Sequence, residues 1–302
     1  MQRLISFLIS LVIAVGSDVS GAADDKKAAE LLKAAREALG GAAKLTKVQG
    51  LTATGALQRA MGDRQMTGEI TLHLALPDKM LRSDGISPMG DGAMIVTDQG
   101  INGTTPLRNS RTLNMPPGAV IRMPPAPEHG SEQELQMLRN SRAELARLTI
   151  AFLLTAPGSL PIEFAYAGEA EAPDGKADVL DMKGEGSFAA KLFLDKATHR
   201  PLMIAYRGVA PRMVMQTVRG DGPGGAGAAA AAAGRGEVRA PGAAPAESVD
   251  ISLFLDDYKT VDGVLLPHHI TRSVDGQPSE EWTFKTIKVN PQFKPDTFAP
   301  AK

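Results

Sequence analysis

The chain has 302 residues, 33 Lys+Arg against 34 Asp+Glu, and no cysteine. A balance so near neutrality excludes the basic field that nucleic acid or an anionic membrane surface would select. The missing thiols exclude disulfide bracing, a lipidated N-terminal cysteine, a cysteine nucleophile and thiolate metal sites.

Met1-Gln2-Arg3 places a positive charge ahead of an apolar run over residues 4–15, and Ser20-Gly21-Ala22-Ala23 offers small residues for cleavage. That is the layout of a secretory signal peptide over residues 1–22, and the run is well short of the roughly twenty apolar residues a membrane span needs. The mature chain, 23–302, reads as one domain that is soluble and periplasmic where the cell has two membranes.

Asp24 and Asp25 open a helix that strong helix formers carry to Leu39, and Gly40-Gly41 stops it. Ala28, Leu31, Leu32, Ala35 and Leu39 form one apolar stripe, which predicts packing on a sheet. Strands are expected over residues 51–57, 66–76, 79–83 and 93–97 and near Ile101, divided by turns at Gly62-Asp63, Pro77-Asp78, Gly90-Asp91-Gly92 and Gln99-Gly100. The proline-rich stretch 116–127 cannot hold a central strand and reads as a surface loop. Ser131-Glu132-Gln133-Glu134 is a capping box that opens a second helix, reaching about Thr155 and stopped by Pro157-Gly158. Its first half is polar, whereas residues 148–154 are apolar all round, so that end must be buried on several sides.

A second strand series is expected over residues 162–170, 177–182, 187–195, 201–206 and 212–218. Residues 220–247 hold little beyond Gly, Ala and Pro, with nothing larger than Val238 to bury, and read as a disordered insertion. From Ser248 onward three alternating strands are divided by Val261-Asp262-Gly263 and Val274-Asp275-Gly276, and Asp-Gly is a strong hairpin signal. The fold class that follows is α+β, a strongly curved antiparallel sheet covered by helices.

No catalytic constellation is visible. The histidines His73, His129, His199, His268 and His269 lack the spacing that brings two imidazoles to one helix face, and His268 and His269 are strand neighbours that point to opposite faces. Asp250, Asp256 and Asp257 lack a calcium-loop pattern and read as a solvated edge. Gly184-Glu185-Gly186-Ser187 lacks the strand-to-helix setting of a nucleophile elbow. The chain reads as neither an enzyme nor a metal or cofactor protein. Its 13 methionines supply conformable apolar filling.

Tyr258, Val261-Asp262-Gly263, Pro267, Val289-Asn290-Pro291 and Phe298 stand in an order that resembles the end of the outer-membrane lipoprotein carrier (LolA-like) family. The phrase from Leu192 to Leu202, a strand ending in Asp195 that turns through Thr198 and resumes at Pro201-Leu202, is similar to the same family. The resemblance implies an incomplete barrel that holds acyl chains, or the chains of a lipoprotein, non-covalently under a helical lid. It implies Leu192, Leu194, Ile251, Leu253 and Leu255 as lining, Leu148 and Phe152 as closure, and membrane-associated donor and acceptor proteins as partners. The same end also looks like domains appended to exported insulinase-type metallopeptidases. The alternative it implies is a non-catalytic interaction or scaffold module.

Overall fold

The computed structural model describes residues 21–62, 64–87, 93–114, 128, 130–172, 175–209 and 248–300. The expected signal peptide up to residue 20, the loop 116–127, the strand 212–218 and the insertion 220–247 lie outside them.

Two helices open the chain, α1 (Gly21–Ala38) and the single turn α2 (Ala42–Leu45). Five strands follow: β1 (Gly50–Met61), β2 (Arg64–Ala75), β3 (Lys79–Ile86), β4 (Met94–Asn102) and β5 (Thr105–Leu113). The long helix α3 (Glu132–Leu153) leads to β6 (Ile162–Ala172), β7 (Gly175–Gly184), β8 (Ala189–Asp195) and β9 (Pro201–Val209). The chain closes with β10 (Ser248–Val261), β11 (Val264–Val274) and β12 (Gln277–Val289).

The twelve strands of the described residues form one antiparallel sheet in the order β5-β4-β3-β2-β1-β12-β11-β10-β9-β8-β7-β6. The first and last strands of the domain, β1 and β12, pair at its centre, with Leu57 opposite Trp282 and Arg59 opposite Glu280. β5 and β6 are the two edges and do not pair with each other, so the sheet does not close into a barrel. Helix α3 is the connection between those edges, and it touches β3, β4 and β5 from one side of the sheet and β9 and β11 from the other. A flat sheet would hold β3 and β12 about 14 Å apart, since β2 and β1 stand between them. Arg82 of β3 spans that distance to reach Glu280 of β12 at 2.8 Å, and one helix can touch strands as far apart as β5 and β9 only because the sheet curves around it.

Turn chemistry sets the register of the C-terminal meander. Asp262 and Gly263 have φ of 49° and 79°, and Asp275 and Gly276 46° and 77°, the positive values that a two-residue hairpin turn with the strands' own twist requires. Asn290 then ties the end of β12 to the start of β1. Its Oδ1 accepts from the Gln49 amide at 2.7 Å, and its Nδ2 donates to the Lys47 carbonyl at 3.0 Å. The Tyr258 hydroxyl donates to the Pro201 carbonyl at 2.7 Å, fixing β10 on β9. Burial pushes that phenol's pKa far up. Phe298 packs with Phe293 and His73 at the foot of β2, where burial lowers the His73 pKa. These residues of the resemblance hold the sheet together.

Two expectations need correcting. Gln99-Gly100 is not a turn: β4 runs through it to Asn102, and Gly100 is needed there because a Cβ would meet the Met80 carbonyl oxygen at 2.0 Å. The polar run Thr105–Leu113, not expected as a strand, is β5, joined to β4 by the two-residue turn Gly103-Thr104.

Candidate functional site

Helix α3 roofs the concave face. Ser131 caps it as expected, accepting from the Glu134 amide, while the Glu134 carboxylate reaches back to the amide of Gly130. From Leu145 onward its side chains except Arg147 are buried, Leu148, Ile150, Ala151 and Phe152 fully so, as the apolar run over 148–154 requires. The helix ends at Leu154 in the left-handed region, φ 51°, and Arg36 of α1 donates from Nε to the Leu154 carbonyl at 3.0 Å. A cation from α1 thus meets the negative end of the α3 dipole, whose own last turn carries none.

Of the seven residues that the resemblance implied, six lie in the apolar cluster between helix and sheet and one lies beside it. Leu148 and Phe152 come from the roof, Leu192 and Leu194 from β8, Leu253 and Leu255 from β10, and these six belong to one continuous apolar cluster. Ile251 is also buried, beside Gly208 of β9, outside that cluster. Phe152 lies against Phe284 of β12 at 6.2 Å between ring centres, and Phe284 against Trp282 at 6.4 Å. Leu148, Phe152, Leu192, Leu194 and Leu253 are fully enclosed by their neighbours in this conformation. A separate, shallow depression of ≈ 210 Å³ lies away from α3, lined by Lys44, Lys47, Val48, Asp262, Val264, Val289 and Asn290.

At one end of the same interior stands a charged network that sequence reasoning missed. Arg82 is 3% exposed and makes paired hydrogen bonds to Asp84 at 2.8 and 2.7 Å, and a third to Glu280 at 2.8 Å. Arg59 bonds the same two carboxylates, Asp84 at 2.6 Å and Glu280 at 2.9 Å. The roof joins in through Glu144, which accepts from Arg272 at 2.5 Å and from Arg147 at 3.1 Å. Trp282 donates its indole N–H to Glu280 at 3.0 Å and offers its ring to Arg82 at 4.4 Å and Arg272 at 5.4 Å. Arg147 in turn lies 3.9 Å from the ring centre of Tyr206, whose phenol burial pushes up.

The protonation states follow from proximity. Burial would raise the Glu280 carboxyl, but Arg82, Arg272 and Arg59 outweigh it and hold it well below the usual carboxylate range. Burial likewise opposes the charge on Glu144, and Arg272 and Arg147 overcome it. Burial disfavours the charged forms of Arg82 and Arg272 too, yet Glu280 with Asp84, and Glu144, raise both. Glu280, Glu144, Arg82 and Arg272 are therefore each held in the ionised form.

The other polar residues singled out from sequence are not brought together. His268 is buried with Nδ1 3.1 Å from the Leu266 carbonyl, while His269 faces the opposite side and meets Glu281 at 2.8 Å. Asp257 pairs with Lys259 at 2.6 Å on the exposed part of β10. Among the described residues no group of three His, Asp or Glu is placed to hold a metal ion, and no helix is long and apolar enough to cross a membrane.

No family model matches the sequence, and no curated protein matches it. Among the solved structures that are similar, three match over most of the chain. A putative outer membrane lipoprotein-sorting protein domain from Vibrio parahaemolyticus has a TM-score of 0.44 at 11% identity, covering 91% of this chain and 97% of that one. A LolA superfamily protein from Nitrosomonas europaea has 0.45 at 10%, covering 90% and 96%. A DUF1329 family protein from Desulfovibrio piger has 0.46 at 10%, covering 90% and 96%. The likeness is one of outline at these scores, and the fold stands on its own strand order: an unclosed, curved twelve-stranded antiparallel sheet with few helices.

Proposed function

We propose that the chain is an exported, periplasmic, non-catalytic carrier that sequesters acyl chains, free or attached to a lipoprotein, between helix α3 and the concave face of the sheet. The observation that carries this reading is the build of the roof. An all-apolar helix end covers an unclosed, curved, apolar sheet, and α3 is held to the wall in part by discrete polar contacts, Glu144 to Arg272 and Leu154 to Arg36. A ligand needs only to take the place of Leu148 and Phe152 against Leu192, Leu194, Ile251, Leu253 and Leu255. Each buried methylene is worth about 0.8 kcal/mol, so one acyl chain gives usable affinity and two or three give tight holding. Donor and acceptor proteins at the two membranes complete the cycle.

Protein purified from periplasm is expected to carry endogenous lipid detectable by native mass spectrometry and to take up a fluorescent fatty acid. Lipid-free protein with no uptake rejects the reading. The filled interior favours a second reading, a scaffold or interaction module, one that works beside an exported insulinase-type metallopeptidase included. That module predicts a stable protein partner in a periplasmic pull-down and no acyl uptake.

A further inference from the structure

The charged network is unevenly assembled. The sheet contributes three guanidiniums, Arg59, Arg82 and Arg272, against two carboxylates, Asp84 and Glu280. Asp84 and Glu280 are engaged by Arg59 and Arg82 at 2.6–2.9 Å, whereas Arg272 stands 4.0 Å from Glu280. Its close partner is Glu144 of the roof, at 2.5 Å. The Nε of Arg272 is buried and finds no hydrogen-bond partner among the described residues. The wall by itself therefore holds one surplus positive charge, and the carboxylate set against it is Glu144 of α3, which also pairs with Arg147 of its own helix. An unpaired buried cation is costly, and a guanidinium with free donors is shaped for a carboxylate.

The position matters as much as the charge. Arg272 lies near one end of β11, and along the same strand the inward residues then run through Ile270, His268 and Leu266 to Val264, all buried. Eight steps of strand make a trough roughly 27 Å long, apolar but for His268 at its middle, with a cation at its head. Trp282 fixes that head, since both Arg82 and Arg272 lie over its ring.

We propose that Arg272, backed by Arg82, is the headgroup site for a singly charged anionic amphiphile, a long-chain carboxylate, and that Glu144 occupies this site when no ligand is bound. Lifting α3 withdraws Glu144 and lays the acyl trough open in the same movement, so the ligand's carboxylate and Glu144 exclude each other. The inference rests on the carrier reading and names the chemistry of its ligand.

The test is competitive displacement of a fluorescent probe from the full mature chain by dodecanoate and by dodecanol, which share a tail and differ in charge. Dodecanoate is expected to bind at least tenfold more tightly than dodecanol. Glu144→Gln is expected to widen that ratio about tenfold, Arg272→Gln to bring it to about one, and Arg272→Lys to restore part of it, with thermal unfolding checked for each. Equal binding of acid and alcohol to the unaltered protein overturns the headgroup site and leaves the carrier reading standing. Binding of neither overturns both. Should Arg272→Gln not fold, Glu144→Gln decides: a ratio that does not widen rejects the exchange.

Discussion

Phe152→Ala separates a packed core residue from one that holds a place for a ligand. The ring is fully buried and lies 6.2 Å from that of Phe284, in the part of α3 where every side chain is enclosed. Truncating such a ring costs about 3–5 kcal/mol through lost transfer energy and the void it leaves. At roughly 2–4 °C per kcal/mol for a domain of this size, the melting temperature should fall by about 10 °C. If an acyl chain uses the same space, three or four methylenes enter the void, and at about 0.8 kcal/mol each they return about 3 kcal/mol. That corresponds to an affinity roughly a hundredfold higher, and a saturating fatty acid should restore much of the lost melting temperature. Calorimetric titration with fatty acids of increasing length, beside thermal unfolding with and without ligand, measures both. A variant that melts lower but binds acyl chains no better refutes the idea that Phe152 stands where the ligand goes.

Other expectations follow from the network and the sheet closure. Glu280→Gln leaves Arg82 and Arg59 short of a buried counter-charge and should cost about 3–5 kcal/mol by urea unfolding, whereas the paired replacement Glu144→Met with Arg272→Met should lie within about 1 kcal/mol of the parent. Asn290→Ala removes bonds to Gln49, Gly50 and Lys47 and should destabilise by about 2 kcal/mol, with hydrogen exchange rising first at the start of β1. Glu280 and Glu144 both titrate lower in the folded chain than when unfolded. Their contribution should therefore be complete above the ordinary carboxylate value of about 4.3 and be lost as the pH falls below it. Urea unfolding should give a stability flat from pH 8 to 5 and falling steeply under pH 4; a profile still flat at pH 3 contradicts the network's role.

The C-terminal meander, the capping box and the apolar end of α3 were legible because each is written in neighbouring residues. The Asp-Gly pairs demand positive φ, Ser131 and Glu134 are three apart, and a run of seven residues with six apolar ones cannot face solvent. The edge strand β5 was not legible by the same signs, since Arg108, Asn109, Ser110 and Arg111 break any apolar alternation and an edge needs little. The pair Asn102-Gly103 was the available clue to its hairpin. Gly100 misled because a glycine inside a strand and a glycine in a turn look alike until the neighbouring backbone is in place.

The charged network escaped for a different reason: its members are scattered from Arg59 to Glu280, and only the register of β1, β12 and β11 brings them together, Arg59 opposite Glu280 and Glu280 opposite Arg272. Strand parity nevertheless held a trace of it. Arg82 and Asp84 alternate with Met80 and Ile86, and Glu280 alternates with Trp282 and Phe284, so charge sits on the face whose other residues are apolar. A buried ion network adds little stability over apolar filling of the same volume. What it adds at this place is a reason for α3 to lie in one position: Glu144 has one strong partner on the wall, and each turn of α3 beyond it carries apolar side chains that would pack in several ways. The apolar residues legible from sequence describe what the interior holds, and the charges that escaped it describe how the roof is seated over it.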